Sequence, residues 1–271
     1  MADKRTIEAS VVSHLGCERE GNEDNFFFNG DYMSFEKMDD GARVSASFSD
    51  KMAVFAVCDG VGGASFGERA SYKAVKMMIP LLFKLKPANV DQLIDEYCIQ
   101  ASDDIYEEGR KRKVNYQGTT LAMLIVSGGE AKVVNIGDSR VYRVHRGRTE
   151  QVSFDHSEVN LLRMNGYLTT ELARKHPKSN VITQYLGMGK EDRPKDFYYK
   201  TSFRIANGDR VFICSDGISD LISEKELHGL VEAAQTTART CEDIAIKALE
   251  YGGKDNLTAM VIDFNKGFAE N

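Results

Sequence analysis

The stretch at residues 52–67, MAVFAVCDGVGGASFG, constrains the fold more than any other part of the chain. Residues 52–58 are all apolar and rich in Val, Ala and Phe, which predicts a buried strand. That strand is expected to stop at Asp59-Gly60, ahead of Gly62-Gly63 and a helical pattern. The glycines let the backbone turn tightly and bring its carbonyls close to a bound ion. Asp59 is then a carboxylate held at a strand end, beside bare backbone. An isolated Asp-Gly pair is ordinary turn chemistry. Acidic turns elsewhere in the chain give this one its meaning.

Before this stretch, residues 6–15 predict a first strand, 16–24 a polar turn, and Phe26-Phe27-Phe28 the start of a second strand. A hairpin or long loop is expected over 30–50. After it, apolar residues recur at helical spacing from Phe66 to Leu85, and Pro87 closes that helix. A second helix runs from Val90 to Arg110-Lys111-Arg112-Lys113, whose cations complement a helix C-terminus. Strands follow at 119–127, 131–136 and 140–145. Residues 155–184 read as helix, loop and short helix with little core, the short helix capped by Thr170. Strands resume at 197–204 and 210–214, helices at 224–234 and 240–251, and a strand at 257–264 leads to a polar tail. Successive strands joined by hairpins do not alternate as βαβ. The expected class is α+β, with antiparallel sheets covered by helices, in one domain over 1–271 with a flap subdomain at 160–182.

At 271 residues the chain can bury a proper core, and 42% hydrophobic and 28% charged residues are ordinary for a globular protein. A formal net charge of −6 argues against nucleic acid as the main partner. The opening MADKRTIEAS lacks the apolar core of a signal peptide, and no run approaches the roughly 20 apolar residues of a membrane span. The five cysteines form no CxxC pair, and Cys58 and Cys214 lie in apolar runs, which suits reduced thiols. A cytoplasmic monomer is expected.

The acidic residues recur at strand boundaries. Apolar strands run into Asp59, Asp138 and Asp216, whereas Glu23-Asp24 and Asp255 stand just before strands. In an antiparallel sheet the end of one strand lies beside the start of its neighbour, so all these positions can share one rim. Crowded carboxylates raise each other's pKa values unless a cation neutralises them. The donors are all oxygen, with the Gly60 carbonyl available, which suits Mg²⁺ or Mn²⁺ and not zinc. Two ions sharing Asp59 would activate water and stabilise in-line displacement at phosphorus. Arg19 could hold two phosphate oxygens through its fork. No GxxxxGK[ST], GxSxG or HExxH motif is present.

These residues, in this order, resemble the metal-dependent protein phosphatase family of the protein phosphatase 2C type, in its bacterial form. The resemblance rests on Gly16-x-x-Arg19-x-x-Asn22-Glu23-Asp24, Asp59-Gly60-Val61-Gly62-Gly63, Gly118-Thr119-Thr120, Gly137-Asp138-Ser139-Arg140, Asp155-His156-Ser157, Asn180-Val181-Ile182-Thr183, Ser215-Asp216-Gly217 and Gly253-x-Asp255-Asn256. It implies two stacked antiparallel sheets flanked by helix pairs, and hydrolysis of phosphoserine and phosphothreonine in proteins with two core Mn²⁺ or Mg²⁺ ions. Asp59 would bridge the two, Asp216 and Asp255 would complete the first, and Asp24 with the Gly60 carbonyl the second. Asp138 with Asp216 would hold a third, weaker ion, and Arg19 would bind phosphate. Glu23 and Asn256 are secondary candidates.

The chain departs from the family pattern at Val61, where animal members carry a histidine, and at Gln184, where many bacterial members carry arginine. Protonation of the leaving alkoxide would then come from metal-bound water or from His156, a secondary candidate whose other reading is a structural residue at the start of the flap. The implied partners are phosphoproteins, among them a Ser/Thr kinase and its substrates. A catalytically silent phosphopeptide-binding or regulatory module is the alternative, but such modules lose metal carboxylates and Asp59, Asp216 and Asp255 are all present. The flap carries Arg163, Arg174, Lys175, His176 and Lys178, cations expected to hold an acidic phosphopeptide near the rim.

Overall fold

The structure, a computed structural model, describes residues 5–49, 52–62, 66–114, 117–233 and 236–268. The chain opens with strands β1 (Thr6–His14), β2 (Asp24–Phe28), β3 (Ala42–Phe48) and β4 (Met52–Val61), then helices α1 (Gly67–Lys84) and α2 (Val90–Arg112). Strands β5 (Gly118–Thr119), β6 (Leu121–Ser127), β7 (Glu130–Ile136), β8 (Arg140–His145) and β9 (Arg148–Gln151) follow, with the flap helices α3 (Glu158–Met164) and α4 (Thr170–Arg174). Strands β10 (Tyr199–Arg204) and β11 (Asp209–Cys214), helices α5 (Asp216–Ser219), α6 (Glu224–Ala233) and α7 (Thr237–Glu250), and strand β12 (Leu257–Lys266) complete it.

Two antiparallel sheets stack, in the orders β3-β1-β12-β11-β8-β9 and β10-β7-β6-β4-β2, with β5 paired to β4. The apolar run of β4 is continuous because both of its faces are covered. Ala53, Phe55 and Val57 meet the other sheet through Val211, Met260 and Ile262, while Val54, Ala56 and Cys58 pack under α1 and α2 through Ala74, Met78 and Ile94. A third cluster, with Phe212, Ile244 and Val261, seats α6 and α7 on the opposite face. The expected class and layering are therefore observed: helices, sheet, sheet, helices. Truncating a fully buried phenylalanine such as Phe55 in this core would cost about 3–5 kcal/mol.

Several boundaries differ from the sequence reading, each for a local reason. β4 does not stop at Asp59 but continues to Val61, because Gly60 and Val61 pair with Thr119 and Gly118 of β5. β2 begins at Asp24, ahead of the phenylalanines, because Asp24 pairs with Asp59. The stretch expected as a hairpin or long loop contains one strand, β3, whose residues pair with β1 from Ala42 to Phe48. β9 and α5 lay below the reach of periodicity, at four residues each with no apolar stripe in β9. The cap of α4 is Thr169, which accepts from the Leu172 N–H, in place of Thr170. Beyond Phe264 the strand runs on to Lys266, and Phe268 is buried against Phe264 where a polar tail was expected. Gly63 of the expected turn and Ala234 of the expected helix lie outside the described residues.

The flap stands on a narrow root. Ser157 bridges Ile182, the Glu158 N–H donates to the Val181 carbonyl, and the Thr183 N–H donates to the His156 carbonyl. Above this root, Val159, Asn160 and Ala173 are buried, whereas Leu161, Met164, Tyr167 and Leu172 are exposed. With so little apolar area removed from water, the flap has little to hold it closed. Native-state hydrogen exchange should show amides at 160–181 opening locally, while those of β4 and β6 exchange only on global unfolding. Equal protection of both would contradict this division.

Candidate metal centre

Asp24 and Asp59 lie directly opposite each other on β2 and β4. Backbone bonds fix Asp59: its N–H donates to Thr120 Oγ1 at 2.9 Å, and its carbonyl accepts from the Thr119 hydroxyl at 2.9 Å and the Thr120 N–H at 2.8 Å. Asp24 is fully buried. Its Oδ2 accepts from the hydroxyls of Ser215 and Thr258, each at 2.7 Å, while its Oδ1 has no partner. The two hydroxyls come from the other sheet, so this carboxylate ties the layers together at the rim.

Ser215 also precedes Asp216, the first residue of α5, whose charge acts on the Asp59 carboxyl. Asp138 sits in the turn from β7 to β8, entered by Gly137 at φ +90°, where an added Cβ would meet Thr120 Cγ2 at 2.7 Å. Gly60 is equally constrained: a Cβ there would meet the Gly67 carbonyl oxygen at 2.3 Å, so α1 can start hard against the strand only because Gly60 has no side chain. Asp255 stands before β12 and receives Arg19 Nη2 at 2.6 Å, its other oxygen accepting from the Asn256 N–H at 2.8 Å.

The electrostatics follow from this crowding. Burial and then the charges of Asp216, Asp24, Asp255 and Asp138 push the Asp59 carboxyl well above the usual range. Asp216 is raised in the same way, by burial and then Asp138, Asp220 and Asp255. Burial lifts Asp24 to about 6 against the opposing hydrogen bonds from Ser215 and Thr258. Asp138 reaches about 7 through burial, with Asp155 and Asp220 adding to it, and Glu23 about 7 through burial and Glu68.

Of the residues singled out in the sequence, Asp24, Asp59, Asp138, Asp216 and Asp255 thus meet electrostatically at one rim, with Gly60 beside them. Arg19 reaches this rim through Asp255 and pairs with neither Glu18 nor Glu20. Asn256 does not face the acids: its amide donates to the carbonyls of Leu15 and Gly21 and accepts from the Glu23 N–H, stapling the Asp255 loop to the loop that carries Arg19. His156 is buried with an unpartnered Nδ1, and burial lowers its pKa, so it is poorly placed to deliver a proton.

Asp220, Ser215 and Thr258 were missed in the sequence. Asp220 lies one helical turn beyond Asp216, a spacing visible only once α5 is known to be a helix. Beside the rim, a cavity of about 300 Å³ is enclosed between flap and body, lined by Asp138, Asp216 and Asp220 and, from the flap, by Arg163 and Arg174. The remaining flap lysines are engaged elsewhere, Lys175 with Glu171 and Lys178 with Glu158.

Among the described residues, no three Asp, Glu, His or Cys side chains close on one point as ligands of a single ion. The donor set nevertheless fits hard cations: it is all carboxylate and carbonyl, it repels itself, and Asp24 Oδ1 is a buried acceptor without a donor.

The chain is similar to known proteins in both sequence and fold. The family model described as Protein phosphatase 2C matches residues 37–256. The chain belongs to the protein phosphatase 2C family. It is 32% identical over 224 residues to "Protein phosphatase PhpP" of Streptococcus pneumoniae, covering 79% of this chain and 87% of that one. Among solved structures, the Mycobacterium tuberculosis serine/threonine phosphatase PstP/Ppp superposes with a TM-score of 0.80 at 26% identity, covering 96% of this chain and all of that one. The catalytic domain of PstP in complex with two manganese ions shares the fold, with a TM-score of 0.79 at 24% identity over 97% of this chain and 100% of that one.

The raised carboxyls make a testable statement about metal-free protein. The folded state holds the Asp138 proton up to about 7, whereas the unfolded chain releases it near about 4. The folded state therefore binds more protons across this window, and stability falls as pH rises through it. In chelator, Asp138→Asn should melt above the parent protein at pH 8, with the gap narrowing towards pH 4. A gap of opposite sign, or one independent of pH, would contradict the electrostatic account.

Proposed function

We propose that this chain is a protein serine/threonine phosphatase that hydrolyses phosphoserine and phosphothreonine in proteins, using two Mn²⁺ or Mg²⁺ ions held at the carboxylate rim. The observation that carries this reading is the pairing of Asp24 with Asp59 across the ladder, with the charge of Asp216 bearing on Asp59, acids that repel one another without a cation between them. Asp59 would bridge both ions, Asp216 and Asp255 would complete one, and Asp24 with the Gly60 carbonyl the other. Asp138 with Asp216 would hold a third, weaker ion. When bound, such ions supply Lewis acidity and activate water for in-line attack on phosphorus.

The chain's own residues do the rest. Arg19 has donors beyond the one on Asp255, and its fork would hold the phosphate while Asp255 fixes its position. Ser215 and Thr258 occupy one oxygen of Asp24, and the buried Oδ1, which has no hydrogen-bond partner, would take an ion. With His156 buried, the proton for the departing alkoxide would come from water. Arg163 and Arg174, lining the cavity beneath the flap, would attract the acidic surroundings of the phosphoresidue. The expected partners are phosphoproteins, among them a Ser/Thr kinase and its substrates. Among the described residues no helix is long and apolar enough to cross a membrane; the reading includes a cytoplasmic monomer of one domain.

A silent phosphopeptide-binding module is disfavoured because such modules lose metal carboxylates, and Asp59, Asp216 and Asp255 are all present in the sequence. Asp59→Asn should leave the fold intact and lower Mn²⁺-dependent turnover of a phosphothreonine peptide by at least about 100-fold, the scale of losing a main electrostatic stabiliser. A folded variant retaining substantial turnover would remove Asp59 from the bridging role. Arg19→Ala should lower kcat/KM about 10- to 150-fold, as the loss of a charge-assisted contact does. Mn²⁺ affinity, measured separately, should barely change, and a parallel loss of metal affinity would show that Arg19 serves Asp255 instead.

A further inference from the structure

β9 is the outermost strand of its sheet. It is joined to β8 by the two-residue turn Arg146-Gly147, with φ of 49° and 69°, and pairs His145 with Arg148 and Arg143 with Glu150. In such a hairpin the pair that closes the turn is hydrogen-bonded and the bonds recur at every second residue. Arg148 and Glu150 therefore turn their backbone groups inward to β8, and Thr149 and Gln151 turn theirs outward. Neither outward N–H nor outward carbonyl is hydrogen-bonded to another described residue.

This edge borders the proposed active site. Thr149 and Gln151 line a cavity of about 430 Å³ together with Arg148, Glu224, Lys225 and His228. Gln151 and Glu224 also line the cavity under the flap, the one that contains Asp138 and Asp216. The two cavities thus adjoin along β9, and Gln151 Nε2 donates to Asp155 Oδ1 at 2.6 Å at their junction. Arg148 and Lys225 lie along this path beside Glu224, and the path leads into the cavity lined by Arg163 and Arg174, so cations flank the route of an acidic, phosphate-bearing segment. His228 is held in place from both sides, by Thr149 Oγ1 at 2.6 Å and Glu232 at 3.3 Å.

We propose that the phosphoprotein substrate docks by adding an extended segment to the free edge of β9. The proposal rests on the phosphatase reading and names where the polypeptide around the phosphoresidue lies. Main-chain bonds to Thr149 and Gln151 supply affinity without regard to sequence, and alternate side chains drop towards Lys225 and His228. β9 runs towards the rim, ending at Gln151. An antiparallel addition therefore starts at the rim and runs away from it, so the residues C-terminal to the phosphoresidue lie along β9.

A scan of phosphothreonine peptides, each with one backbone N-methyl group, tests this on the wild-type protein with Mn²⁺. Each methyl removes one donor and blocks close strand approach. Alternate positions among the first six residues C-terminal to the phosphothreonine should lose about three- to tenfold in kcat/KM, the scale of one hydrogen bond, and the N-terminal side should be indifferent. A flat profile, or losses confined to the N-terminal side, would overturn the proposal. Thr149→Pro provides a second arm, because proline on an edge strand deletes an outward donor while sparing the ladder. It should lower the ratio of peptide to p-nitrophenyl phosphate turnover, and Thr149→Val, which keeps the N–H, should restore it. An unchanged ratio in folded Thr149→Pro would overturn the proposal too. If wild-type protein hydrolyses p-nitrophenyl phosphate and the scan is flat, the edge proposal alone fails; if it hydrolyses neither substrate, the phosphatase reading fails.

Discussion

Two carboxylates facing each other across a β-ladder repel, and Asp24 and Asp59 are placed so by the register of β2 and β4. Most of what surrounds the rim answers that repulsion. Ser215 and Thr258 donate to one oxygen of Asp24, Thr119 and Thr120 anchor the Asp59 backbone, and Arg19 holds Asp255. Of these contacts only the one between Arg19 and Asp255 pairs opposite charges; Asp59, Asp138 and Asp216, crowded and buried, hold their protons above the usual carboxylate range instead. The apolar core beneath bears the cost, since the acids are fixed by strands that Phe55, Val57 and Met260 bury between the sheets.

Hydrophobic periodicity and turn chemistry reveal the layers and the acids readily, and reveal how the acids are held much less well. The continuous apolar run of β4 can only be a strand covered on both faces, and the structure covers it with a sheet and two helices. The acids stood out because each adjoins such a run. By contrast, β4 passes through Asp59 because of the two-residue partner β5, a pairing that no local pattern specifies. β9 contains no apolar residue, and its place is set by a turn with positive φ and by its pairing with β8. Asn256, a secondary candidate from the Gly253-x-Asp255-Asn256 motif, turns out to be held by its amide on three backbone groups distant in the sequence. His156, a secondary candidate for the leaving-group proton, is buried, and burial lowers its pKa. Side-chain partners across long sequence separations are the part that composition and spacing do not encode.

The body is a doubly covered sandwich that fixes the rim, whereas Arg163 and Arg174 reach the cavity from a segment with few buried residues.

The central claim is that the rim holds protons in place of cations until cations arrive. Calorimetric titration of Mn²⁺ at pH 6.5 in two buffers of different ionisation enthalpy measures it directly. The difference between the observed heats gives the protons released per ion bound. The account predicts net release, because Asp59, Asp138 and Asp216 are all raised in the metal-free protein. Tight binding with identical heats in both buffers would mean that the acids are ionised beforehand, and would contradict it.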